Sequence, residues 1–167
     1  MAFEGMLTEA LAICRAVHER YHPSKCNPWN EIECGDHYQL ARASRGVLVA
    51  MAGFSYDGPT GWIGFAPRFN PDNFRSIYTA AEGWGSYTQR RDDQRQASEI
   101  SVVWGQVRLR GVSVETGNSA PVRVDVTLAG RRLPVQTSRE GSTLRLDLGA
   151  SQRLQAGEKL TIELDPA

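Results

Sequence analysis

Pro121-Val-Arg-Val-Asp-Val-Thr-Leu128 decides the second half of this chain. Val122, Val124, Val126 and Leu128 lie on one side of an extended backbone, and Arg123, Asp125 and Thr127 on the other. A strand with one apolar and one polar face needs a second layer to cover the apolar one. The same period of two recurs at Leu144, Leu146 and Leu148, and at Leu160, Ile162 and Leu164. Val107 and Leu109 face one way; after Gly111 the phase flips to Val112 and Val114, which predicts a β-bulge there. Turns are expected at Ala129-Gly130, Glu140-Gly141 and Ala156-Gly157. Short strands with turns at this spacing predict an antiparallel β-sandwich over 97–167.

Upstream, Gly58-Pro59-Thr60-Gly61 reads as a turn, followed by a short strand at Trp62-Ile63-Gly64-Phe65. Residues 71–78 fit one helical turn or a loop. Arg90 to Gln96 is charged and is the best linker candidate, so 61–96 is taken as a turn-rich connector with short strands.

Residues 1–60 have a different period. Leu7, Ala10, Leu11, Cys14, Val17 and Tyr21 recur at helical spacing, and His22-Pro23 stops the helix because proline cannot continue the ladder. A second helix is expected from about Asp36 to Gly53. Its half Val47-Leu-Val-Ala-Met-Ala52 is apolar on every side, the pattern of a helix buried all round. Leaving even about 400 Å² of apolar surface exposed forgoes roughly 10 kcal/mol of burial. Such a chain needs its β part, a second copy or a further polypeptide to cover that helix.

Composition narrows the function classes. Nineteen basic and nineteen acidic residues cancel among 167. That leaves no electrostatic footprint for nucleic acid and no polybasic membrane patch. No apolar run approaches the roughly 20 residues of a membrane helix. The N-terminus lacks a basic segment followed by an apolar core, which points to the cytoplasm. Three cysteines, Cys14, Cys26 and Cys34, are an odd number and fit a reducing compartment. No glycine-rich loop has phosphate-binding spacing, and no cofactor is called for.

Chemistry-bearing residues gather between the helices, in Asn27-Pro-Trp-Asn-Glu-Ile-Glu-Cys-Gly-Asp-His-Tyr38. A glycosidase needs two carboxyl groups flanking a scissile bond, about 5–5.5 Å apart for retention and about 6.5–9.5 Å for inversion. Glu31 and Glu33 sit two residues apart on one loop and cannot easily flank a ligand from both sides, so they are assigned to holding a sugar. Asp36 has the alternative role of a helix cap. His22, Cys26, Cys34 and His37 offer soft ligands for zinc, but the central spacer is short and both arms straddle helix ends. Cys34 with His37 as a nucleophile–base pair rests on sequence proximity alone. Trp29, Trp62 and Trp84 are candidates for stacking on sugar rings or for closing a core between helix and sheet, and Trp104 reads as a core residue.

Four segments in order, Asn27 to Tyr38, Gly53-Phe-Ser-Tyr-Asp-Gly-Pro59, Ile63-Gly-Phe-Ala-Pro67 and Thr79-Ala-Ala-Glu-Gly-Trp-Gly85, resemble the C-terminal end of glycoside hydrolase family 116. That family includes bacterial β-glucosidases and non-lysosomal glucosylceramidases. The similarity spans roughly Glu4 to Gln89. It implies an (α/α)6 barrel, of which the two helices here are the last pair, and a retaining mechanism on β-glucosides or related glycans. Neither catalytic carboxylate falls in the matched part, so no catalytic residue is assigned. Glu31 matches the family's pocket glutamate. Trp29, Glu33, His37 and Arg42 complete the expected sugar contacts, although the family's arginine position holds Leu40 here and Arg42 is the nearest arginine. The expectation is therefore α+β: a two-helix barrel remnant (1–60), a connector (61–96) and a β-sandwich (97–167). The expected partners are a carbohydrate, and either the upstream barrel polypeptide or a second copy of this chain. The alternative is a non-catalytic carbohydrate-binding or structural β module.

Overall fold

A computed structural model of the chain describes residues 1–20, 24, 38–93, 95–117 and 121–166; for 38–44, 121–122 and 166 it describes the backbone alone. The chain divides into two compact units, Met1–Gly53 and Phe54–Ala167. The first contains a 3-10 turn, Ala2–Glu4, and two helices, α1 (Leu7–Arg20) and α2 (Tyr38–Ala52). The second is all β: β1 (Ser55–Asp57), β2 (Trp62–Phe65), β3 (Asn73–Thr79), β4 (Gly83–Arg91), β5 (Gln96–Glu115), β6 (Pro121–Leu128), β7 (Arg131–Leu133), β8 (Gln136–Glu140), β9 (Thr143–Gln155) and β10 (Lys159–Pro166). The chain is thus α+β and dominated by strands.

Among the described residues of the helical unit, the buried core cluster is Ala2, Ala10 and Ala50. Phe3, Met6, Ile13 and Leu48 are exposed. The expectation that α2 is buried all round is not met at Leu48, which is 40% exposed. No helix among the described residues is long and apolar enough to cross a membrane.

The β unit is organised by β5, whose 20 residues serve two sheets. Its first half pairs with β4 on one side and β10 on the other; β3 extends that sheet beyond β4, and β6 with β7 extend it beyond β10. Its second half lies between β2 and β9, flanked in turn by β1 and β8. The switch falls at Gly105, where φ is 73° and a side chain would strike the Glu82 carbonyl. The two sheets face each other: Phe65 of β2 stacks on Tyr87 of β4 with ring centroids 3.9 Å apart, and packs edge-on against Tyr78. Ile100, Leu109, Val112, Leu146, Leu154, Leu160 and Ile162 fill the interior, each fully buried. Burial of a phenol penalises its charged form, so Tyr78 and Tyr87 are both pushed up, away from ionisation.

The strands at 107–114, 122–128, 144–148 and 160–164 stand where the alternation places them, and the bulge falls between Leu109 and Gly111. Ala129 and Gly130 both have positive φ, as a two-residue hairpin turn requires, and join β6 to β7. Within 97–167 the described strand pairings are antiparallel, as expected, and β2 from the expected connector adds a parallel pair with β5. Two expectations are corrected. Residues 73–79 form a strand rather than a helical turn or loop. Arg90 and Arg91 pair with Ala97 and Gln96, and the Arg95 N–H donates to the Asp92 carboxylate at 2.9 Å, so β4 and β5 are neighbours in one sheet and not units joined by a linker. Residues 61–96, expected as a turn-rich connector with short strands, contribute β2, β3 and β4 to the sheets.

Candidate functional site

The expected sugar contacts Trp29, Glu31, Glu33 and His37 lie outside the described residues, as do His22, Cys26 and Cys34 of the zinc set. Arg42 stands on α2, with its side chain outside the description. The described residue that carries a sequence-based expectation into a built site is Trp62.

Register explains why Trp62 is where it is. On the outer face of the β1–β2–β5–β9–β8 sheet, one row runs Asp57, Trp62, Gly111, Asp147, Gln136. The next runs Ser55, Gly64, Ser113, Arg145, Ser138. The inner face of the same strands carries Ile63, Phe65, Val112, Val114, Leu144 and Leu146, all buried. A one-residue slip would exchange the two sets, so burial of the apolar set fixes the polar one. Gly111 is required beneath the indole: a Cβ there would come within 2.5 Å of the Trp62 ring carbons. The Arg145 guanidinium lies over the same ring, 4.2 Å from its centroid. That cation–π contact and the glycine trough hold a half-buried tryptophan in one orientation.

Two bulges open clefts around it. Arg110 is the extra residue of β5: its N–H and that of Gly111 both donate to the Gly61 carbonyl, at 2.7 and 3.2 Å. On β9, pairing with β5 skips from Asp147 to Gln152, and Gly149 turns the chain with φ 75° while its N–H donates to the Asp147 carboxylate at 2.8 Å. Between the bulges lies a cleft of about 700 Å³ lined by Thr60, Trp62, Arg108, Arg110, Asp147 and Ser151. A second cleft of about 400 Å³, sharing Thr60 and Trp62, is lined also by Asp57, Tyr56, Ser113 and Arg145. Bulges are a common means of re-aiming side chains beside functional sites.

The two carboxylates of the clefts stand on strands that are not neighbours. Asp57 and Asp147 are three strands apart in one row, or roughly 14 Å between backbones at about 4.8 Å per strand. A glycosidase pair needs about 5–9.5 Å between its carboxyl groups. Asp57 also accepts from the Thr60 N–H at 3.3 Å. Other acids are tied into the fold: Asp72 to Arg91 at 2.9 Å, Glu82 to Arg108 at 2.8 Å and Glu99 to Lys159 at 2.8 Å. Asp125 pairs with both Arg123 and Arg132. What the cleft can do is bind: it offers one indole, hydroxyls, two guanidiniums and an acceptor.

The remaining tryptophans divide otherwise than expected. Trp104, expected in a core, is 65% exposed, and Trp84 beside it on β4 is 42% exposed. They stand at the end of the β4–β5 ladder, where the register shifts between Trp84 and Gly85 and turns both rings outward. Arg108, Arg110 and Asp147 carried no signal in the sequence, since only the cross-strand register brings them to Trp62.

No protein-family model matches the sequence, and no curated protein does. Among solved structures, the chain has a distant likeness to a glycoside hydrolase, the α-L-rhamnosidase of Dictyoglumus thermophilum, at 11% identity and a TM-score of 0.39, covering 69% of this chain. The match occupies 12% of the rhamnosidase, so this chain spans a small fraction of that protein's length.

Proposed function

We propose that this chain is the C-terminal portion of a retaining glycoside hydrolase acting on β-glucosides or related glycans. In this reading the 27–38 segment forms one wall of a sugar pocket, with Glu31 accepting from sugar hydroxyls and Trp29, Glu33, His37 and Arg42 around it. The catalytic carboxylates come from helices outside this sequence, and the two helices here are the end of an (α/α)6 barrel. The observation that carries the reading is the ordered set of four segments resembling family 116. Two further features support it. The two cleft aspartates, Asp57 and Asp147, sit on non-adjacent strands of the β unit, outside the 27–38 segment. The helical unit leaves Ile13 and Leu48 uncovered, as the end of a larger helical assembly would when separated from it.

By itself the chain is catalytically inactive in this reading, and its partners are a carbohydrate and either the upstream helices or a second copy. Purified chain assayed on an aryl β-glucoside is expected to show no turnover above buffer. Turnover abolished by Glu31→Gln would contradict the reading. Glucose titrated against the chain together with the upstream helices is expected to bind, and to lose affinity at least tenfold on Glu31→Gln. Equal affinity for both would remove Glu31 from the pocket.

A second reading, a non-catalytic carbohydrate-binding module, is favoured by one observation: the preorganised Trp62 cleft in the β unit. The two readings are compatible, since a hydrolase can carry such a module.

A further inference from the structure

The outer face of β5 and β9 carries a charge pattern that the fold does not need. Arg108 and Arg153 stand directly opposite each other across the two strands. Like charges in that position destabilise a sheet unless something lies between or beside them. Glu82 takes up Arg108, with Oε1 at 2.8 Å, and accepts from the Gln106 amide as well. Arg153 and Arg110 are exposed and have no carboxylate partner among the described residues. The bulge that aims Arg110 outward also opens the cleft beside Trp62. Arg145 adds a third guanidinium on the ring itself.

Resting on the carbohydrate-binding reading, we infer that this cleft takes an acidic saccharide, a chain bearing uronate residues. Arg110 receives the carboxylate, because an unpaired guanidinium presents a planar donor fork matched to it. Arg153 supplies long-range attraction from just outside. Asp147 has one oxygen committed to the Gly149 N–H and another free to accept from sugar hydroxyls. Thr60 and Ser151 add hydroxyls on either side, and the Trp62 indole provides the apolar surface for a ring face. Asp147 inside the cleft favours a saccharide, whose hydroxyls can donate to it, over a nucleic acid, whose phosphodiester backbone offers only acceptors. The balanced charge of the whole chain likewise offers no extended basic track for nucleic acid.

The test uses the full chain, titrated by calorimetry and tryptophan fluorescence with tri-galacturonate, cellotriose and a short single-stranded DNA. Tri-galacturonate is expected to bind at least tenfold more tightly than cellotriose, and to weaken as salt rises. Arg110→Gln should remove that preference while leaving the thermal midpoint unchanged. Arg110→Lys should restore part of it, because the charge returns without the fork. Ser151→Ala should weaken both sugars by a few-fold without changing their ratio. Equal binding of the two sugars, unaffected by Arg110→Gln, would overturn the acidic ligand while leaving carbohydrate binding in place. Binding of neither sugar at millimolar concentration would overturn both, and tighter binding of DNA than of either sugar would overturn the ligand class.

Discussion

The two units of this chain differ in what they bury. In the β unit the fully buried side chains are large and interlock: Tyr87 on Phe65, with Ile63, Ile100, Leu109, Leu146 and Leu160 around them. In the helical unit every described buried apolar residue is an alanine, and the larger ones, Phe3, Met6, Ile13 and Leu48, face solvent. Alanine burial contributes little transfer energy, so the helices lack a core of their own among the described residues. The β unit can hold a site rigidly.

The strongest way to break this contrast is at Gly85. A methyl group there would overlap the Ser101 carbonyl oxygen of the neighbouring strand. Gly85→Ala is expected to cost more than about 3 kcal/mol, because backbone cannot yield as a side chain does. Loss of the dispersed amide spectrum of residues 54–166 is the readout. Retention of the wild-type thermal midpoint would show that the strands are not locked at this point.

Next in size is Phe65→Ala, expected to lower stability by about 3–5 kcal/mol in chemical denaturation. A loss below 1 kcal/mol would mean that the Phe65–Tyr87 stack does not join the sheets. Above about pH 10, a smaller effect enters through Tyr78 and Tyr87. Their folded pKa values are raised, so between the unfolded and folded values the native state holds more protons. Stability is therefore fully present below pH 10 and declines as pH rises beyond it. Tyr78→Phe should flatten that decline; an unchanged slope would reject burial of the phenol as its origin. Smallest of all, Leu48→Gln should shift stability by no more than about 0.5 kcal/mol, as at an ordinary surface position. In sedimentation it should reduce any self-association of the chain. A destabilisation comparable with Phe65→Ala would place Leu48 in a core and end the contrast.

Sequence alone revealed the strands whose inward positions are uniformly apolar. Val122 to Leu128 and Leu144 to Leu148 need only a period of two to be recognised. The bulge at Gly111 was legible because it inverts that period. Strands β3 and β4 and the start of β5 were hidden because their inward side is partly polar: Ser76 of β3, Gln89 of β4, and Gln96 and Ser98 of β5 are buried. Their donors are satisfied by one another and by backbone carbonyls, whereas the Gln96 Oε1 is buried without a partner. The Tyr87 hydroxyl donates to the Gln89 carbonyl oxygen at 2.6 Å and lies 3.1 Å from the Ser98 hydroxyl, and the Gln96 amide donates to the Glu115 carbonyl at 3.0 Å. A reading based on hydrophobic alternation takes such a segment for a linker. Trp104 misled for the opposite reason, since a large aromatic in the middle of a strand is read as core until the register turns it outward. The cleft was half legible: Trp62 announced itself, whereas Arg110 and Asp147 reach it only through pairing of strands far apart in sequence.

Native-state hydrogen exchange on the full chain tests the contrast most directly. Amides of β5, β9 and β10 are expected to exchange only through global unfolding, while those of α2 from Arg45 to Ala52 exchange orders of magnitude faster through local opening. Protection of α2 equal to that of β5, in the monomer and without any added partner, would contradict it.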